Sequence, residues 1–272
     1  VSSNFETPSQ ANPSVDLPDS VSLELINDIA VVRIARSHKR NALDDHTVLG
    51  LQSLFTNLPA TAAAVVLTSA GEHFSAGLDL SDLTEKTPIE SVAHSQMWHR
   101  AFAAIENSSV PVIAALRGAV IGGGLELASA THLRVAERST FYALPEGSRG
   151  LFVGGGGSVR IPRLIGAHRM ADMMLTGRVI DAQHGQDIGI SHYLVDDGAG
   201  EAKALELART VAQNSPITNF AILQALPRIA AAGTSEGYLL ESLMAAVATS
   251  SPEAQVRMQA FLDGRAKRVT QA

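Results

Sequence analysis

The 272-residue chain contains no cysteine, which excludes disulfides, thiolate metal sites and cysteine nucleophiles in one step. Aromatic residues make up only 4% of it, with a lone tryptophan, so closely packed helices and strands are favoured over an aromatic recognition surface. A cationic excess is also missing. Lys and Arg number 21 against 27 Asp and Glu, a net charge of -6, so no global field attracts nucleic acid or an anionic membrane. No stretch reaches the roughly 18 uninterrupted apolar residues of a membrane helix, since the longest candidate, ahead of Glu126, is broken by Arg117 and glycines. None of the nine histidines stands in an HExxH spacing, and no metal site is expected. Residues 1–19 lack the basic start and apolar core of a targeting segment. They read as a disordered leader on a cytoplasmic protein.

What is present is a 46% hydrophobic chain, enough for one sizeable core with a small helical appendage. VSLELINDIAVVRIA carries two alternating strands around Asn27 and Asp28, a hairpin signal. RSHKRNAL then gathers Arg36, His38, Lys39 and Arg40 before a predicted helix over 44–57; the four read either as a phosphate-holding loop or as a solvated turn. AAAVVLTSA predicts a buried strand, followed at once by GEHFSAGLDLSDL. A glycine-containing loop after a strand is a usual ligand position in alternating strand-helix proteins, although the spacing matches neither GxGxxG nor a P-loop. Gly77 there permits a tight backbone path that turns the Ala76 amide to a ligand, and Asp79 suits a turn cap. A helix is predicted over 89–107 with Val92, Trp98, Phe102 and Ile105 buried.

The central stretch runs from Pro111 to Val159, and in it two glutamates interrupt patterns that otherwise read as core. Glu126 lies two residues beyond Gly122, Gly123 and Gly124, between Leu125 and Leu127, where a helix is starting. Glu146 follows predicted strands near 132–135 and 140–143 and precedes four glycines. That tract is permissive for phosphate but lacks a Walker lysine. An apolar helix over 168–175, a short helix ending near Gly189 and a strand in HYLVDD come next. Mostly helical sequence follows: 201–213, 217–232, 235–249 and 252–263. The shift predicts a core over 20–215 and a helical subdomain over 216–272.

AGLDL, RGAVIGGGLELA and LPEGSRG, followed by RIPRLIGAHRMADMMLTGRVIDAQHGQDIGI, together resemble the crotonase superfamily, specifically its enoyl-CoA hydratase and isomerase group. The resemblance spans about 21–269. It implies an α/β fold, the crotonase-like (ClpP/crotonase) ββα spiral core with a C-terminal helical region used in trimerisation, assembled as a homotrimer or dimer of trimers. It also implies a coenzyme A thioester as substrate carrier, with no permanently bound cofactor. By the same resemblance the amides of Ala76 and Gly123 form an oxyanion hole, while Glu126 and Glu146 are the acid/base pair, Glu126 activating water and Glu146 delivering the C2 proton. Lys39, Arg40, Ser75, Gly77, Leu78, Asp79 and Leu80 fall in the coenzyme-contacting loops. Trp98, otherwise a simple core residue, joins Gly122 and Val153 in the substrate pocket. The basic residues of FLDGRAKRV resemble a terminal segment that approaches phosphates, sometimes across a subunit contact.

Three departures from the family pattern stand out. GLFVGGGG replaces a loop that often contains proline, with Val153 at the corresponding place. His132 occupies a position often acidic in relatives, where a structural role is expected, and RSHKRNAL lacks a common leading proline. The resemblance implies reversible hydration of a trans-2-enoyl-CoA to a 3-hydroxyacyl-CoA. Isomerisation and hydration-coupled carbon-carbon cleavage are the alternatives within the superfamily, and a non-catalytic acyl-CoA-binding or assembly protein is the alternative from another class.

Overall fold

The computed structural model describes residues 16–82 and 86–265. Most of the expected leader, and Lys267 and Arg268 of the basic terminal segment, lie outside the described residues. In chain order the fold comprises β1 (Val21–Ile26), β2 (Ile29–Ile34), α1 (Asp45–Thr56), β3 (Ala64–Ser69), α2 (Pro88–Glu106), β4 (Val112–Leu116), β5 (Ala119–Ile121), α3 (Gly123–Ser129), β6 (Leu133–Glu137) and β7 (Phe141–Ala143). It continues with α4 (Gly157–Ile165), α5 (Ala167–Thr176), β8 (Ile180–Asp181), α6 (Ala182–Asp187), β9 (Tyr193–Val195), α7 (Gly200–Ala212), α8 (Pro216–Phe220), α9 (Leu226–Ala231), α10 (Thr234–Thr249) and α11 (Pro252–Leu262). This is the crotonase-like α/β core with a helical C-terminal region.

The strands form a six-stranded sheet in the order β1-β2-β3-β4-β6-β9 and a three-stranded sheet in the order β5-β7-β8. Asn27, with φ +58, turns the β1–β2 hairpin, whose last pair is Ile26 with Ile29. Every later neighbour in the larger sheet is parallel, and its inner strands β3 and β4 are buried along their whole length, as a sheet covered from both sides requires. Along β2, Ala30 and Val32 belong to the main core with Leu51, Leu54 and Phe102, whereas Ile29 and Val31 pack towards Ala204 and Ala208 of α7. A two-pronged ion pair from Glu201 to Arg33, at 2.8 and 2.9 Å, pins α7 to β2.

Between β4 and β5 the chain changes sheets at Gly118, whose φ of +50 and approach to the Glu72 carbonyl leave no room for a side chain. The stretch that reads as one apolar run is therefore split over two sheets. β5 and β7 are parallel neighbours with Ile121 paired to Ala143. The residues after them, which carry the two glutamates, consequently emerge side by side from adjacent strand ends, the usual ligand crevice of such sheets.

Two expectations give way. Val92 is 58% exposed, because α2 turns Trp98, Ala101, Phe102 and Ile105 inward instead. The last glycine of the tract is helical: α4 begins at Gly157, a start disguised by the glycines and by Pro162 inside the helix. Predicted 217–232 is helical but widens to a π-turn over Ala221–Ala225, directly ahead of Pro227, which has no amide to donate to the preceding turn. Beyond it, α10 and α11 carry exposed apolar side chains, among them Leu239, Leu243, Val256 and Phe261.

Candidate active site

Gly122 is the joint of the site. Its amide donates to the Ala143 carbonyl of β7 at 2.9 Å, its φ is +52, and a Cβ there would stand 2.8 Å from Glu146 Oε1. Only glycine satisfies both the backbone angle and the close approach of the carboxylate. The helix that follows is one of free amides at its start. Glu126, on the first turn of α3, is 3% exposed. Its Oε1 accepts from the amides of Gly155 and Gly157, both at 2.8 Å. Thus two amides of the tetraglycine tract donate to an oxygen, as its composition suggests, but the oxygen belongs to a carboxyl group of the same chain and not to a phosphate. A Cβ on Gly157 would lie 2.7 Å from Glu126 Cγ, so the glutamate's seat depends on its absence. Arg160 braces the tract from behind, donating to the Gly155 carbonyl at 3.0 Å and to Glu106 at 2.8 Å.

Glu146 is held differently. It sits at the N-terminus of a single 3-10 turn, Gly147–Arg149, and its Oε2 is buried with no hydrogen-bond partner among the described residues. Burial pushes its pKa up, moderated by its own backbone amide and by the nearby Arg149 charge. Burial also raises the pKa of Glu126, against the lowering effect of the Gly157 and Gly155 amides, and the Glu146 charge adds to the rise. Two carboxyl groups with elevated proton affinity on one cavity are suited to proton transfer near neutral pH.

Across that cavity the structure corrects one assignment. The Ala76 amide donates to the Arg40 carbonyl at 3.0 Å, so it is not available to a ligand. Gly77, with φ +92, redirects the chain, and the Leu78 amide becomes the one beside Gly123: a Cβ on Gly123 would lie 3.3 Å from Leu78 N. Neither the Leu78 nor the Gly123 amide has an acceptor among the described residues. These two donors, Glu126, Glu146 and Gly122 line one cavity of about 340 Å³ together with Ala76, Gly77, Leu80, Trp98 and Val153, a size suited to a small-molecule group. Trp98 is both core and wall. It is 4% exposed, edge-on to Phe102 at 5.5 Å, and donates to Asp45 at 3.0 Å.

Other expected contacts are redistributed. Ser75 is fully buried, its hydroxyl accepting from the Gly77 amide at 3.1 Å, so it shapes the loop from behind and offers a coenzyme nothing. Asp79 is 5% exposed. Lys39 and Ser81 bonds, joined by Arg36, hold its carboxyl well below the usual carboxylate range, and its Oδ1 caps the turn through the Ser81 amide at 3.1 Å. It is a loop anchor, as its capping role predicts, and lies on the wall of the groove that also holds Lys39 and Arg40. Lys39 and Arg40 line a groove with His38, Leu80 and Arg149 that shares Ala76 and Leu78 with the cavity. His132 is structural: Nδ1 accepts from the Val112 amide at 2.9 Å, and Nε2 lies 3.1 Å from the Glu106 carbonyl.

Three contributors escaped the sequence. The clamp amides of Gly155 and Gly157 were signalled only by glycines ahead of a helix. Asn41, buried with φ +54, accepts from the Arg36 amide and donates to the carbonyls of Ala70 and His73; an asparagine after a basic loop was its one sign. Nothing local pointed to Asp45, which joins the cavity wall through Trp98 and His94.

The family model described as enoyl-CoA hydratase/isomerase matches residues 24–271. An enoyl-CoA hydratase of Mycobacterium tuberculosis is 32% identical over 204 residues, 74% of this chain and 77% of that protein. The fatty acid oxidation complex alpha subunit of Shewanella frigidimarina is 37% identical over 175 residues, 62% of this chain but only 25% of the subunit. Among solved structures, one from Rhodopseudomonas palustris is 56% identical with a TM-score of 0.88, covering 90% of this chain and 95% of that one. With paired glutamates and paired free amides in one cavity of this fold, the chain belongs to the enoyl-CoA hydratase/isomerase family of the crotonase superfamily.

Proposed function

We propose that the protein adds water reversibly to a trans-2-enoyl-CoA to give a 3-hydroxyacyl-CoA. The observation that carries this reading is the convergence of two carboxyl groups and two unpartnered amides on one cavity. The amides of Leu78 and Gly123 receive the thioester carbonyl, which gains negative charge as an enolate forms. Glu126 activates water: with Oε1 fixed by two amides, its other oxygen takes the proton as the water oxygen bonds to C3. Glu146 gives its proton to C2, a role favoured by the burial that keeps that proton on it. A proton passes back from Glu126 to Glu146 to close the cycle, so the two titrate as a pair. Isomerisation needs only one of the two carboxyls, which is why their joint presence favours water addition.

The groove beside the cavity, with Lys39, Arg40 and Arg149, is the proposed path of the coenzyme's phosphates. The exposed apolar faces of α10 and α11 are the proposed contact between copies in a trimer or a pair of trimers; light scattering of the purified protein measures that state. No helix among the described residues is long and apolar enough to cross a membrane. The decisive test of the reaction is product analysis by mass spectrometry with an enoyl-CoA panel in oxygen-18 water. Label in a 3-hydroxyacyl product is expected. Double-bond migration without label establishes isomerisation, chain shortening establishes cleavage, and stoichiometric binding without turnover establishes a binding protein.

A further inference from the structure

Helix α2 presents to the cavity a stripe that does not suit a plain hydrocarbon. Ser91, His94, Ser95 and Trp98 all line it, at the i, i+3, i+4, i+7 spacing of one helix face. Phe102, one turn further on, closes the inner end against the Glu126 clamp, where a Cβ on Gly155 would meet its ring at 2.9 Å. Trp98 stands beside the amide of Gly123, its ring 3.1 Å from a Cβ built there. His94 therefore lies one turn, about 6 Å along the axis, beyond the proposed thioester position and towards the helix N-terminus.

The His94 ring is set by a carboxylate from another helix. Its Nε2 lies 2.7 Å from Oδ1 of Asp45 on α1, and that same oxygen accepts from Trp98 at 3.0 Å. With Nε2–H donated to Asp45, Nδ1 is left as an acceptor, and it has no hydrogen-bond partner among the described residues. Leu151, Phe152 and Val153 add an apolar part to the lining of the same cavity. A purely aliphatic chain in this space covers His94 without satisfying it, whereas a hydroxyl donates to Nδ1. A site built around such a hydrogen bond discriminates against the analogue that lacks the donor, because the ring nitrogen is then left unpaired.

We propose that the acyl group this enzyme takes carries a hydroxyl, aliphatic or phenolic, read by His94, with Asp45 as the residue that positions the ring. This rests on the acyl-CoA reading above and names the substrate class for that same cavity. The test compares an enoyl-CoA bearing a terminal hydroxyl with its hydrocarbon twin of equal length and with the corresponding carboxylate, on wild type, His94→Phe and His94→Gln. Wild type is expected to favour the hydroxylated thioester in kcat/KM by about 10-fold to 100-fold. His94→Phe abolishes that preference, and a circular dichroism spectrum and melting curve matching wild type show that the variant folds. His94→Gln, whose amide oxygen still accepts, restores part of it. Equal turnover of hydroxyl and hydrocarbon substrates by wild type, or a preference for the carboxylate, overturns the proposal and leaves the hydration reading intact. If no enoyl thioester is turned over, the hydration reading fails instead. Calorimetric affinities of the matching saturated hydroxyacyl-CoA and acyl-CoA, on wild type and His94→Phe, then decide recognition by themselves: a preference lost in the variant supports it, and no preference overturns it.

Discussion

The seat of Glu126 and the turn that carries Glu146 face the same cavity but are built on opposite principles. Glu126 grows from the first turn of a buried helix, and its Oε1 is clamped by two amides of a glycine tract that Arg160 braces from behind. Glu146 rides on three residues of 3-10 helix and leaves a buried oxygen without a partner. One carboxyl group is oriented at the cost of freedom, while the other has no such clamp. Amide donors favour the charged form and burial the neutral one; at Glu126 burial outweighs the clamp and the pKa is raised, as it is at Glu146.

The largest effects come from removing each carboxyl. Glu146→Gln and Glu126→Gln are each expected to lower kcat for hydration by about 10²-fold to 10⁴-fold, measured on a substrate verified by product analysis. Equal, undiminished turnover in both would break the comparison. Next comes the clamp itself: a methyl at Gly157→Ala would press on Glu126 Cγ at 2.7 Å, and a loss of about 10-fold to 100-fold in kcat is expected with little change in KM. Gly122→Ala tests the other seat, since its methyl meets Glu146 Oε1 at 2.8 Å with φ at +52. It is expected to destabilise the fold by about 1–3 kcal/mol, read by urea melts, and to slow turnover alongside.

A smaller effect separates seat from chemistry. The folded-state pKa of Glu126 is raised above the ordinary glutamate value, so its contribution to stability is fully present below that value and is lost as pH rises through the folded pKa. Glu126→Gln keeps an acceptor oxygen for both amides and removes the titration. Its melting temperature is expected to exceed that of wild type at about pH 8, with the gap closing towards about pH 4. A gap independent of pH would show that the glutamate has the same pKa in the folded and unfolded chain. Smallest is Trp98→Phe, which deletes the bond to the half-exposed Asp45 and is expected to cost about 1 kcal/mol of stability.

Legibility followed the range of the physics. The hairpin at Asn27, α1 and both glutamates are local: turn chemistry, an apolar stripe, and carboxylates set in apolar sequence after glycines. The free amide proposed as an oxyanion donor lies two residues beyond the one expected. Whether the Ala76 or the Leu78 amide faces the cavity depends on which way Gly77 turns, and that is fixed by the Arg40 carbonyl, 36 residues before Ala76 in sequence. The helix inside the glycine tract was hidden because its start is stabilised by a carboxylate 31 residues away rather than by a local cap. Val92 misled because α2 is wide enough in apolar residues to permit two faces, and packing against α1 chose the other.

By itself the amino-acid sequence determined the alternation of strands and helices and singled out two glutamates set in apolar sequence, because periodicity, turn residues and misplaced charges act within a few residues of one another. The fold class and the acid/base roles proposed for the two glutamates came from the family resemblance of the motifs around them. Only the tertiary structure decided which amides stay free, which group the glycine tract holds and which side chains share the cavity with Glu126 and Glu146. Those are properties of pairs brought together by adjacent parallel strand ends and by helices from distant parts of the chain. A hydrogen bond satisfied by one such partner is unavailable to a substrate, and no local pattern records that choice.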